Sequence, residues 1–172
     1  MKFRKADKRD IDNLLSLYDD VIEQQKYDEY GASWTRGVYP TDEDIRLHLE
    51  NGEIYIGESE GTIACSCAVV AGEEEMYKGA GWNLKVAPEE VAVVHLLAVN
   101  KCFRGKGYAM SFLEFLRKEL IGHFKVIHLD ALVSNLPADR LYRKFGFRCI
   151  GRYPVWYEDL GNTEVSLYEY AL

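Results

Sequence analysis

No stretch of this sequence is apolar for long enough to cross a bilayer, which takes about 20 residues as a helix. The most apolar run, Val91 to Val99, is interrupted by His95. The amino terminus, MKFRKADKRD, is charged and leads into no apolar segment, so no secretory leader or membrane anchor is expected and the cytoplasm is the expected location. Cysteine is scarce. Cys65, Cys67, Cys102 and Cys149 form no Cys-x-x-Cys pair and no histidine pair completes a zinc pattern, so no metal site is expected. Cys65 and Cys67, alternating on one strand face, are expected to be small buried apolar groups. Positive charge is in deficit: 21 Lys and Arg against 28 Asp and Glu give a net charge of −7. That excludes nucleic acid or an anionic membrane surface as the expected partner, and suits a cationic or amine-bearing one. Internal repeats, low-complexity tracts and an interdomain linker are missing as well, so the 172 residues are expected to form one domain, 1–172.

The periodicities that are present give an ordered series of elements. Residues 2–6 suit a short strand. Asp7 can cap a helix over about 8–28, with Ile11, Leu14, Leu15, Tyr18, Val21 and Ile22 on its apolar face. After the turn-rich EYGASWTRGVYP, Thr41 can cap a second helix, 42–51, ended by Asn51-Gly52. EIYIGES and TIACSCAVV predict a hairpin. Residues 71–90 predict a loop with a strand or helical turn in it. VAVVHLLAV, apolar on both faces, predicts a central covered strand. An amphipathic helix follows Gly107, KVIHLDALV reads as a strand, Pro137 opens a helix stopped by Gly146, and FRCIGRYPVWY and TEVSLYEYAL close the chain as strands. The order β-α-α-β-β-β-α-β-α-β-β implies a mixed sheet with helices on both faces.

Between the central strand and its helix stands Arg104-Gly105-Lys106-Gly107-Tyr108-Ala109. A helix start exposes N–H groups without intrahelical partners, and glycines there let an anion approach the backbone, so the turn suits a phosphate. A Walker loop is excluded, because Gly107 stands where Ser or Thr would follow Lys106. A dinucleotide fingerprint fails at its third glycine position, which is Met110, and at the five residues between strand end and Gly105. Arg104, Gly107 and Ala109 instead fill the specified positions of R/Q-x-x-G-x-G/A, and downstream Asn135, Ala138, Tyr142 and Gly146-Phe147 follow N-x-x-A-x-x-x-Y-x-x-x-G-F. In these two elements, and in WTRGVYPT at Trp34 to Thr41, the chain resembles small bacterial members of the GNAT superfamily of N-acetyltransferases.

The resemblance implies an α/β fold with a mostly antiparallel sheet of six or seven strands and a splayed central parallel pair. It implies acetyl-CoA as co-substrate, no metal, and a primary amine of a small molecule or peptide as acceptor, on a monomer or homodimer. The pyrophosphate would lie on the backbone of Arg104, Gly105, Lys106, Gly107, Tyr108 and Ala109. Leu97, Ala98 and Val99 would hold the pantetheine arm and the carbonyl, with Asn135 and Ala138 beside them and Tyr142 protonating the departing thiolate. A phenol, with a reference pKa near ~10, is a proton donor at neutral pH.

The base is not given by the match. Many relatives carry a Glu on the strand before the turn, whereas Val91, Val93, His95, Leu97 and Val99, expected on one face, include no acid. His95 is the titratable group within that strand and is the candidate base; its alternative role is a core histidine bonded to backbone. Glu89 and Glu90 are reserve candidates, and structural roles are expected for His128 and Asp130. Tyr30, Trp34, Tyr39, Tyr77, Trp82, Trp156 and Tyr157 are candidate walls of an acceptor pocket formed by the first two helices and the late strands, suited to an amine through cation–π contact. With the strand Glu missing, the alternative from another class is a non-catalytic acyl-CoA-binding sensor or partner module.

Overall fold

The computed structural model describes residues 1–73 and 75–172; Glu74, within the unassigned stretch 71–90, lies outside the described residues. Local capping sets the first elements. After β1 (Lys2–Lys5), Asp7 accepts from the Arg9 N–H at 2.9 Å while Asp10 accepts from the Asp7 N–H at 2.8 Å. This reciprocal cap starts a tight turn, Lys8–Asp10, from which α1 (Ile11–Gln25) continues. The helix is shorter than the expected 8–28. Gln25 stops it by bonding both backbone groups of Trp34, at 3.1 and 3.3 Å, and so folds the following segment back. Thr41 caps α2 (Asp42–Glu50), accepting from the Asp44 N–H at 3.1 Å.

The remaining elements are β2 (Ile54–Ser59), β3 (Thr62–Ala71), β4 (Val91–Val99), α3 (Tyr108–Leu120), β5 (Val126–Leu132), α4 (Leu136–Phe145), β6 (Arg148–Tyr157) and β7 (Gly161–Ala171). They form one seven-stranded sheet in the order β1-β2-β3-β4-β5-β7-β6, antiparallel except for β4–β5. This is the expected α/β class and element order. One face of the sheet buries Cys65, Cys67, Val94, Ile127 and Leu129 against Phe112, Leu113 and Leu116 of α3 and Tyr142 of α4. The other packs Ile54, Ile56, Leu96 and Ala98 against Leu14, Leu17 and Tyr18 of α1 and Ile45 of α2. Both cysteines are fully buried as free thiols, as their alternation suggested, and burial pushes the Cys65 thiol up to about 12.

Two features open the middle of the sheet. The β4–β5 ladder runs only from Val91↔Val126 to Val93↔His128, after which the strands part. On its other edge β4 carries a bulge: Ala68 pairs with His95 and Ser66 with Ala98, so Leu96 and Leu97 together oppose Cys67. Leu96 sits at φ 56°, a left-handed conformation rare for a residue with a branched side chain, and the fully buried Tyr18 hydroxyl donates to its carbonyl at 2.9 Å. The bulge corrects the single-face expectation for β4. Leu97 and Val99 join Ala92 and Val94 on the α3/α4 side, whereas Leu96 and Ala98 join the α1/α2 side.

The stretch between β3 and β4 holds two short turns, Glu75–Tyr77 and Pro88–Glu90, and no strand among its described residues. It is fastened to the sheet by Trp82, whose ring stacks on His128 at 3.6 Å and 10°, and by Glu169, which accepts from Asn83 and from the Leu84 N–H at 3.1 and 3.0 Å. Burial lowers the His128 pKa from 6.5 to about 4, against the opposing pull of Glu169. The folded state therefore holds fewer protons here than the unfolded chain, and this residue's contribution is lost as pH falls from about 6.5 toward 4. His128→Gln is accordingly expected to lose about 2 kcal/mol less than wild type between pH 7 and 4.5, measured by urea unfolding. Equal losses would show that His128 is not the group being charged.

Candidate active site

A cleft of about 710 Å³ runs from the end of β4 to the start of α3 and along α4. Of the residues expected to hold the co-substrate, Leu97, Ala98, Val99, Arg104, Gly105, Gly107, Tyr108, Ala109, Asn135, Ala138 and Tyr142 all line it. Gly105 and Gly107 have φ of 73° and 79°, the region glycine adopts without strain, and a Cβ at either would meet nothing within 4 Å. The turn therefore keeps open space against its backbone where α3 begins, which fits a pyrophosphate. Gly107→Asp would add backbone strain and a negative charge at that space. It is expected to weaken coenzyme A binding by at least about 1.4 kcal/mol, tenfold, read by calorimetry. Unchanged affinity in the folded variant would remove the pyrophosphate from this turn.

Of the two cations in the turn, Arg104 lines the cleft and Lys106 does not. The Lys106 ammonium lies 5.5 Å from the centre of the Phe103 ring. Arg104 donates to Asp28 at 2.6 Å and to the Val99 carbonyl at 3.3 Å, so its guanidinium ties the segment after α1 to the end of β4. Two cations that sequence reasoning passed over, Arg140 and Lys144 of α4, do line the cleft. They lie four residues apart and so share one helix face, a spacing legible beside the Asn135 element. Residues Tyr27 to Ala32 also line the cleft; of these, Tyr30 is a candidate wall from sequence.

Asn135 caps α4, its side-chain oxygen accepting from the Ala138 N–H at 3.2 Å. This holds the helix start at the junction of the cleft with a second cavity. Tyr142, 6% exposed, packs edge-on against Tyr168 at 5.3 Å and beside Phe147 at 5.7 Å. Burial, and then the Asp130 carboxylate, push its phenol well above the ordinary range. It therefore stays protonated at any working pH.

The second cavity, about 350 Å³, shares Ala32, Trp34, Leu97, Asn135 and Tyr142 with the cleft. Its deeper lining includes Val94, His95 and Leu96 of β4 and Asp130, Ala131 and Leu132 of β5. The structure thus brings His95 and Tyr142 to one cavity. Asp130, assigned a structural role from sequence, lines the same space. Glu89 and Glu90 do not line it. They sit in the turn before β4, where Glu90 bonds Lys125 at 2.5 Å and caps the Ala87 N–H at 3.0 Å. The walls come only in part from the expected source: Tyr157 ends the late strand β6, but no α1 or α2 residue lines the cavity. The rest come from Ser33, Trp34, Val38 and Tyr39 between α1 and α2, from Met76 and Tyr77, and from Glu158 to Leu160 after β6. Of the aromatic candidates Trp34, Tyr39, Tyr77 and Tyr157 line it, whereas Tyr30 lines the cleft, Trp82 covers His128 and Trp156 is exposed.

A seven-stranded sheet with one splayed parallel pair, a bulged β4 and a glycine turn at the head of α3 is the α/β architecture of an acyltransferase class. The sequence profile of the acetyltransferase (GNAT) family matches residues 17–147, and the chain belongs to that family. No curated protein sequence matches it significantly. Among solved structures, a GNAT-family acetyltransferase from Streptococcus agalactiae is 23% identical with a TM-score of 0.78, over 99% of this chain and 95% of that one. A GNAT-family acetyltransferase from Listeria monocytogenes is 19% identical with a TM-score of 0.73, over 99% and 94%. A ribosomal-protein-alanine N-acetyltransferase from Brucella melitensis is 17% identical with a TM-score of 0.72, over the whole of both chains. At these identities the likeness is one of fold. Among the described residues no helix is long and apolar enough to cross a membrane, and no His, Cys, Asp and Glu cluster could hold a metal ion.

Proposed function

We propose that residues 1–172 work as one acetyl-CoA-dependent N-acetyltransferase domain whose acceptor is a primary amine of a small molecule or peptide. The observation that carries this reading is the meeting of two cavities at Leu97, Asn135 and Tyr142. One is bounded by the glycine turn, the other by aromatic and acidic side chains. Bound acetyl-CoA supplies an activated acyl carbon, at which the amine nitrogen forms its bond as the carbon–sulfur bond breaks. Gly105 to Ala109 and the N–H groups opening α3 hold the pyrophosphate. Arg140 and Lys144 add positive potential along the same wall. Past Val93 the β5-facing edge of β4 has no ladder to join, so backbone N–H groups at Leu97 to Val99 stabilise the carbonyl oxygen as charge gathers there. His95 takes the proton the amine must lose, and Tyr142 meets the thiolate as it leaves. The side chains of Trp34 and Tyr39 keep the reacting atoms away from bulk water.

Free-thiol release from acetyl-CoA, followed over a panel of primary amines, tests the reading. Release that depends on an amine, with the acetylated product seen by mass spectrometry, is expected. Tight coenzyme A binding with no turnover on any amine would establish the binding-module alternative instead.

A further inference from the structure

Resting on that reading, we propose that the acceptor is a small aliphatic amine carrying a second positive charge, with the reacting nitrogen at the Tyr142 end of the cavity and the second cation at the β6–β7 turn. The cavity has two distinct ends. At the deep end, Val94, Leu96 and Ala131 are buried and Tyr142 opens toward the co-substrate cleft. At the outer end, Glu158 is exposed and Asp159 half-buried, both on the turn joining β6 to β7. The same lining holds four rings, Trp34, Tyr39, Tyr77 and Tyr157, the last two with their hydroxyls 3.4 Å apart. Asp130 makes a third carboxylate, and no Lys or Arg is among the described lining residues.

Each part of this lining selects against a different acceptor. A carboxylate-bearing amine, such as a free amino acid, would bring its anion among three carboxylates with no cation to receive it, and like charges at close range cost affinity. An amine with a neutral tail would fill the aromatic walls but leave the outer acidic pair without a partner. An amine with a second ammonium satisfies both ends. Its methylene stem lies along the rings, its far charge gains cation–π and ion-pair attraction at the turn, and its near nitrogen reaches the thioester. The separation also serves the chemistry. The reacting nitrogen must be neutral when it attacks, so the carboxylates that hold a permanent cation work best away from His95. Glu158 and Asp159 sit on a different element from His95, the turn joining β6 to β7, and at the less buried part of the lining.

The probes are cadaverine, n-pentylamine of the same carbon length, and 5-aminopentanoate, each assayed with acetyl-CoA on the intact chain. The expected result is a kcat/KM for cadaverine at least about fivefold above pentylamine, with aminopentanoate below both. The advantage of cadaverine should shrink as salt is raised, because the outer carboxylates are screened. In the Glu158→Gln, Asp159→Asn double variant the cadaverine advantage should fall toward one. The affinity for coenzyme A should hold, which also shows that the variant is folded. Equal kcat/KM for cadaverine and pentylamine in the wild-type chain would overturn the inference and leave the acetyltransferase reading standing. An undiminished advantage in the double variant would overturn the assignment to this turn. No acetylation of any amine, with coenzyme A still bound, would overturn the underlying reading and this inference together.

Discussion

Tyr142→Phe is expected to cut kcat by roughly 10²–10⁴ while leaving the Michaelis constant for acetyl-CoA and the fold nearly unchanged. The ring would keep its packing against Tyr168 and Phe147, and only the hydroxyl would go. What that hydroxyl does follows from its environment. Burial first, and the Asp130 carboxylate second, raise its pKa, which makes it a reluctant acid but a permanent hydrogen-bond donor. A departing thiolate is a weaker base than such a phenolate. On the proposed reading, Tyr142 would stabilise the leaving sulfur by a charge-assisted hydrogen bond more than by surrendering its proton outright. That interaction strengthens as the carbon–sulfur bond breaks, so its loss falls on kcat and not on ground-state binding. A second consequence separates it from a titrating acid: the variant should keep the wild-type pH profile at lower amplitude. Turnover within about twofold of wild type would show that water or another group serves the thiolate.

The parts of this architecture that were legible in the sequence are those fixed locally. Asp7 and Thr41 marked helix starts because their oxygens bond N–H groups two or three residues on, an interaction set by sequence spacing alone. Gly107 before α3 and Gly146 after α4 marked their boundaries because both take left-handed backbone, at φ 79° and 114°. Arg104, Gly105, Gly107, Tyr108 and Ala109 lie together on the cleft for the same reason: one turn and one helix start place them. What was not legible depends on tertiary contacts. Nothing in VAVVHLLAV announces a bulge at Leu96, since the usual sign is a glycine. Here the left-handed residue is a leucine, with its carbonyl bonded to Tyr18 from a helix 78 residues away in sequence. The bulge in turn moved Leu97 and Val99 to the opposite face from the one alternation assigned them. Lys106 turning to Phe103 and Arg104 turning to Asp28 are likewise choices among partners that only the folded chain brings near.

The sequence matches could not choose a base, and there the structure narrows the field by position. Glu89 and Glu90 precede β4, and Glu90 is committed to Lys125 and the Ala87 N–H. His95 is half-buried at the bulge and lines the cavity with Asp130 and Tyr142. An imidazole in the base role accepts a proton and can pass it to solvent within a turnover. His95→Gln keeps most of the volume and some hydrogen bonding but cannot take up the proton. The expected result is a loss of roughly 10²–10⁴ in kcat, with coenzyme A affinity retained. The wild-type rate should climb with pH through one ionisation and then level, since the imidazole works only when neutral. In the variant that ionisation should vanish along with most of the rate. If His95 were instead a structural residue bonded to backbone, the substitution would lower the melting temperature and leave the profile's shape intact. The same ionisation in a well-folded His95→Gln enzyme would eliminate His95 and transfer the role to Asp130, the carboxylate that lines the cavity beside Tyr142. Asp130→Asn would then have to abolish the ionisation that His95→Gln had left in place.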